Sequence, residues 1–228
     1  MQSNVADGLL WYAVFLFSTV GHEAAHAWSA LRLGDSTAAR GGQVSLNPWP
    51  HIRREPLGMV VVPLLSWFLG GWLMGWASAP YDPEWARTYP RRAALMALAG
   101  PAANFSLVLA AGLLLRLGLE WGFFQVPYSL TSSQLVLASS SAAAAFAAKA
   151  LSVIFSLNLL LGVFNLVPLP PLDGASVPLL LLPARAARGY LDALHSPAVR
   201  LIGLVLVSRG LGAFFPNILR TVAELLYR

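Results

Sequence analysis

The 228-residue chain has no cysteine, a single lysine and few charged residues of either sign. Without cysteine there can be no disulfide and no thiolate metal site. Charged residues make up 11% of the chain, against roughly a quarter in a soluble domain. That excludes an ordinary water-soluble globule. Coiled coils and disordered chains need still more charge. There is no internal repeat, no low-complexity linker and no shift of composition that would mark a second domain. We therefore read 1–228 as one membrane-embedded domain. Residues 1–8 lack the basic stretch of a cleavable signal peptide.

What is abundant is apolar: 57% of residues, with mean hydropathy +0.64. Fifteen basic residues against ten acidic give +5. The basic residues sit in gaps between apolar runs, which fits a cytoplasmic-loop excess and not a nucleic-acid surface. Runs at 9–33, 93–117 and 142–166 are long enough to span a bilayer, since about 20 helical residues cover its core. Residues 201–215 close the bundle. Residues 57–79 are apolar but interrupted by Pro63, Gly70 and Gly71, and 167–174 carries three prolines that no helix crosses intact. These runs predict an all-α polytopic membrane protein, a bundle of about four to six transmembrane helices with a re-entrant segment and a small membrane-associated β-hairpin.

Ionisable groups inside a span are costly and mark function. His22-Glu23-Ala24-Ala25-His26 is an HExxH motif inside the first run. Positions i and i+4 share one helix face, so both imidazoles can bind one Zn²⁺ with Glu23 beside it as general base. Chance would place HExxH in a chain this long at roughly half a percent. A catalytic zinc takes three protein ligands and one open position. Without cysteine, the third ligand comes from Asp173, His51, His195, Glu120 or a loop acid. Of these, Asp173 alone sits in an apolar region behind a helix break, although Asp-Gly is also a common turn pair.

The histidines and Asp173 both fall toward the C-terminal ends of their spans. They meet at one depth only if those spans run parallel, which requires an odd number of crossings between them. Residues 93–117 supply one; if 57–79 also crossed, a further crossing would be needed in 118–141, and the charges favour the other arrangement, in which 57–79 dips in and returns. Ten arginines, among them Arg32, Arg53, Arg92 and Arg188, then collect on one side, as cytoplasmic loops do. The active site would lie nearer the cytoplasmic face of a bacterial plasma membrane.

Four elements together resemble the site-2 protease family of intramembrane zinc metalloproteases, in its short bacterial subgroup without PDZ or CBS domains. They are the HExxH at 22–26, Ala99-Gly100-Pro101-Ala102-Ala103-Asn104, the loop from Gly42 to Pro48 with His51, and Asn165-Leu166-Val167-Pro168 followed by Leu172-Asp173-Gly174. The resemblance implies one Zn²⁺ per chain held by His22, His26 and Asp173, with Glu23 as base and proton shuttle. It implies that Asn165 contacts the substrate backbone or the oxyanion. It also implies that 41–46 is an edge strand, with Gly42, Gln43, Val44 and Ser45 holding a transmembrane protein or peptide substrate in extended form. The chain departs from the subgroup at Arg53, where an acidic residue usually follows the loop histidine by two positions, so His51 reads equally as an interfacial loop residue.

Asn104 and Asn158 read equally as lining of a wet cavity or as interhelical glue. Gly100-Pro101 reads as a site of close helix approach, and His195 as an amphipathic-helix residue. Two other classes compete with a protease. A metal transporter would carry acidic residues or histidines along several helices and show internal symmetry; neither is present. A catalytically inactive family member would lack Glu23 or a ligand; all are present. The oligomeric state leaves no mark on the sequence.

Overall fold

The computed structural model describes residues 5–138 and 141–228. Residues 1–4, part of the N-terminal segment read above, lie outside the described residues. Helix α1 (Val5–Leu33) leads into two short helices, α2 (Thr37–Arg40) and α3 (Pro48–Arg54). A π-helical turn (Leu57–Val61) continues as α4 (Val62–Gly70). Then come α5 (Pro83–Thr88), the long α6 (Pro90–Glu120), a two-stranded antiparallel hairpin (β1, Phe124–Gln125; β2, Leu137–Ala138) and α7 (Ala142–Asn165). A 3₁₀ helix (Asp173–Leu180), α8 (Ala184–His195) and α9 (Pro197–Glu224) complete the chain. By length and composition α1, α6 and α7 can each cross a membrane, and the bent α8–α9 pair raises the number to four among the described residues.

Side-chain pairs fix the direction of each span. At one end Lys149 of α7 pairs with Asp7 of α1, and further along Asn158 reaches Ser18. The two helices therefore run parallel. Helix α6 runs against both: its Met96 carbonyl meets His26 and its Asn104 meets His22. One crossing separates the parallel spans, as the position of the acidic ligand requires. Lipid is as apolar as leucine, so close packing and polar contacts hold such helices together. Small residues serve this purpose: Ala24, Ala27 and Ala30 on α1 and Ala93, Ala94 and Ala97 on α6 are all buried.

Residues 34–89 end where they begin. The Arg92 guanidinium and the Trp85 indole both donate to the Leu33 carbonyl. Within this stretch α4 ends on Gly71 in the left-handed region, and an irregular arm returns alongside it. The Trp76 amide donates to Gly58 O at 3.0 Å, and the Ser78 hydroxyl donates to Glu55 at 2.5 Å. Segment 57–79 is thus a re-entrant excursion.

The hairpin lies elsewhere than 41–46. Residues 41–46 form a turn followed by bends and no strand. Gly42, at φ +75°, turns the chain back so that its amide donates to Ala39 O and that of Gln43 to Ala38 O. Asn47 then caps α3 by accepting from the Trp49 amide. Between that turn and that cap too few residues are left for a ladder, and no second strand lies alongside among the described residues. The observed hairpin pairs Phe124 with Ala138 at the opposite end, where Phe124, Leu135 and Val136 cover Val108, Leu115 and Phe155.

Candidate metal centre

Three helices build the centre with a repeat of four residues, the spacing that keeps side chains on one helix face. Ser18, His22 and His26 line α1. Met96, Gly100 and Asn104 line the antiparallel α6. Ile154 and Asn158 line α7. After Asn165 the prolines at 168, 170 and 171 stop the helix. The turn they impose brings Asp173 under the two histidines.

The Nε2 atoms of His22 and His26 lie 2.9 Å apart. Asp173 Oδ2 is 3.1 Å from the first and 3.3 Å from the second. The other ring nitrogens point outward: His26 Nδ1 lies 2.8 Å from the Met96 carbonyl and His22 Nδ1 2.6 Å from Asn104 Oδ1. A carbonyl oxygen only accepts, so the Nδ1–H is on the outer side of His26 and its Nε2 presents a lone pair. Asp173 Oδ2 is buried without a hydrogen-bond donor. Buried acceptors converging on one point repel each other unless a cation lies between them. Zinc–nitrogen and zinc–oxygen bonds of about 2.0–2.2 Å put tetrahedral ligands roughly 3.3 Å apart, close to the observed spacings.

Gly100 gives the same answer. A Cβ there would stand 2.4 Å from His26 Nε2 and 2.5 Å from His22 Nε2. The glycine thus opens the space at the metal-facing atoms as well as letting the helices approach. Among the described residues, His22, His26 and Asp173 are the one group of histidine and carboxylate side chains that could hold a metal ion. The donor set fits zinc.

Glu23, between the histidines in sequence, is buried, and its carboxylate has no hydrogen-bond partner among the described residues. Asn165 ends α7, and its Nδ2 donates to Leu161 O at 3.0 Å, so its side chain is held against its own helix. Gln43 is buried and donates to Ser78 O at 3.1 Å, which ties the 41–46 loop to the re-entrant return arm. Val44 and Leu46 are exposed. His51 is buried with Nε2 3.0 Å from Ser45 O and Nδ1 unpartnered. It braces the loop and does not join the metal-facing group. His195 of the amphipathic α8 pairs with Tyr81 at 2.9 Å. Outside the spans, Asp35 is buried, which raises its pKa. Hydrogen bonds from the Thr37 hydroxyl and from the Asp82 and Thr37 amides outweigh this and hold the carboxyl below its ordinary value.

The profile of Peptidase family M50 matches residues 11–208. The chain belongs to that family. Family M50 is the site-2 protease family, so the resemblance drawn from the four sequence elements holds. Among curated relatives, the chain is 33% identical over 154 residues to "Putative zinc metalloprotease YwhC" of Bacillus subtilis, covering 67% of this chain and 60% of that one. It is 30% identical over 172 residues to "Putative zinc metalloprotease Rip2" of Mycolicibacterium smegmatis, covering 75% and 57%. This M50 chain therefore spans somewhat under two thirds of the length of these relatives. No solved structure matches it with significance.

The contacts of Met96 and Gly100 with the centre are absent from the sequence reading. The four-residue stripe Met96–Gly100–Asn104 is visible in the sequence, but which face of α6 meets the histidines depends on the register between helices.

Proposed function

We propose that this chain is a zinc endopeptidase that hydrolyses peptide bonds within or beside transmembrane segments of membrane-protein substrates, acting as one membrane-embedded unit. The observation that carries this reading is the convergence of three buried acceptors, His22 Nε2, His26 Nε2 and Asp173 Oδ2, beside a buried Glu23.

His22, His26 and Asp173 would hold one zinc ion. When bound, zinc polarises the scissile carbonyl and makes a nucleophile of water at neutral pH. Glu23 takes a proton from the attacking water and passes it to the departing amine nitrogen. Asn165 retains an unpartnered Oδ1 and a second amide hydrogen at the end of α7, through which it would hold the substrate backbone or the developing oxyanion.

A peptide bond within lipid is locked in a helix whose backbone groups already pair. Cleavage requires local unwinding and replacement hydrogen bonds. The loop at Gly42, Gln43, Val44 and Ser45 would supply them. Its Val44 backbone makes no hydrogen bond among the described residues, so an incoming extended chain finds a free N–H and C=O there. The loop acts through this free backbone and without forming a strand of its own.

The site lies at the end of the bundle that carries ten arginines, and the positive-inside rule makes that end cytoplasmic. The bilayer would be a bacterial plasma membrane. The test is cleavage by the purified chain in liposomes of a single-span model substrate, with fragments sized by mass spectrometry. Cuts within or at the edge of the span, accelerated by a helix-weakening residue near the scissile bond, support the reading. Cuts confined to a soluble flanking segment would overturn it.

A further inference from the structure

Asn158 on α7 contacts neither imidazole nor Asp173, yet a hydrogen-bond chain runs from it to the centre. Its Nδ2 lies 2.9 Å from the Ile154 carbonyl and 2.9 Å from Ser18 Oγ. Its Oδ1 lies 2.9 Å from Asn104 Nδ2. Asn104 Oδ1 lies 2.6 Å from His22 Nδ1. Both asparagines are fully buried, and Ser18 nearly so.

The direction of this chain is fixed at its far end. The Ile154 carbonyl can only accept, so the Asn158 atom facing it must be the NH₂. The Asn158 oxygen then faces Asn104, so Asn104 must present its NH₂ there and its oxygen to His22. An oxygen at that point only accepts, so the proton of the neutral His22 ring resides on Nδ1. Reversing either amide would set two acceptors against each other in a buried site, at the cost of an unmade hydrogen bond.

We infer that Asn158 and Asn104 are positioning residues that hold His22 in its Nδ1–H tautomer, so that its Nε2 lone pair faces the metal. This rests on the zinc reading above and deepens it. His26 reaches the same state directly through the Met96 carbonyl. Each histidine thus takes its tautomer from a backbone carbonyl, one at a single step and the other through two amides on two helices. Outer partners of this kind typically alter metal affinity 10–100-fold when lost.

Interhelical glue is the competing role for Asn158, and two substitutions separate them. Asn158→Leu keeps the branched shape and removes the acceptor that orients Asn104. Asn158→Asp keeps an acceptor toward Asn104 but is the harsher change for a helix packed in lipid. Zn²⁺ affinity of the detergent-purified full chain, measured by competition with a chromogenic chelator, should fall about 10-fold or more in Asn158→Leu and stay within about threefold in Asn158→Asp. Thermal stability should rank in the reverse order. Unchanged affinity in Asn158→Leu, or a loss in Asn158→Asp as large as in Asn158→Leu, would overturn the inference while leaving the zinc reading intact. Wild-type protein that binds no Zn²⁺ would overturn both.

Should Asn158→Leu not fold, ¹⁵N spectra of histidine-labelled, metal-free wild-type protein decide the matter. The His22 signal, assigned by its loss in His22→Asn, should show the proton on Nδ1. A neutral ring with its proton on Nε2 and none on Nδ1 would overturn the inference.

Discussion

Replacing Gly100 by alanine tests the centre with a single methyl group. In an unobstructed helix, Gly→Ala gains up to about 1 kcal/mol from backbone entropy. At Gly100 the new Cβ would fall 2.4 Å from His26 Nε2, 2.5 Å from His22 Nε2 and 2.6 Å from His22 Cε1, whereas ordinary contact begins at 3.4 Å. The rings would have to retreat by roughly 1 Å. They are not free to do so, because His22 Nδ1 is held to Asn104 at 2.6 Å and His26 Nδ1 to the Met96 carbonyl at 2.8 Å. Breaking those bonds costs about 1 kcal/mol each, and overpacking adds about 1–3 kcal/mol. Against the helical gain, the net loss is about 2–4 kcal/mol. Ligand atoms displaced by about 1 Å also miss the ±0.2 Å tolerance of a zinc site.

Gly189 on the exposed face of α8 supplies the control, since a Cβ there meets nothing within 4 Å. Thermal unfolding in detergent and zinc per chain by elemental analysis should show Gly100→Ala destabilised and depleted of metal. Gly189→Ala should be unaffected or slightly stabilised, with full metal. Gly100→Ala with native stability and native zinc content would refute the reasoning.

Three further outcomes follow from the same geometry. Cysteines introduced at Ser45 and Thr88, in a chain that has none of its own, should react with a membrane-impermeant reagent from the same side, and labelling from opposite sides would reject the re-entrant segment. Val44→Pro removes a backbone N–H that makes no internal bond, so zinc content should hold while cleavage of a transmembrane substrate falls several-fold; unchanged cleavage would rule out the loop as the docking edge. Asp35→Ala removes an acceptor for the Thr37 hydroxyl and for the Thr37 and Asp82 amides and should destabilise by about 2 kcal/mol. Because the folded-state pKa of Asp35 lies below its ordinary value, its contribution is present above about pH 4 and is lost as pH falls through the folded pKa. Acid titration of stability should be shallower in Asp35→Ala, and an equally steep titration would show that Asp35 plays no part in it.

The spans and their parity are legible in the sequence because length and apolar content determine what can cross a bilayer, and a motif at one depth must meet its third ligand at that depth. His22, His26 and Asp173 converge as their positions require. The loop at 41–46 shows where composition is insufficient. Gly-Gly-Gln-Val-Ser-Leu has strand character, but Gly42 turns the chain onto α2 and Asn47 caps α3, so no ladder forms. The real hairpin is only two residues deep in each strand, too short for alternation to reveal. Gly100 and Asn158 have no local signature of their roles. Each acquires its role from the register of α6 against α1 and α7, which depends on packing between helices distant in sequence.

The most direct measurement on the central claim is zinc content and turnover in wild type and Glu23→Gln side by side. The substitution keeps size and removes only the capacity to carry a proton, and it leaves the three metal-facing atoms in place. Both proteins should hold one zinc per chain, and only the wild type should cleave a transmembrane substrate. Cleavage at the wild-type rate by Glu23→Gln, or a wild type that cleaves without zinc, would contradict the account.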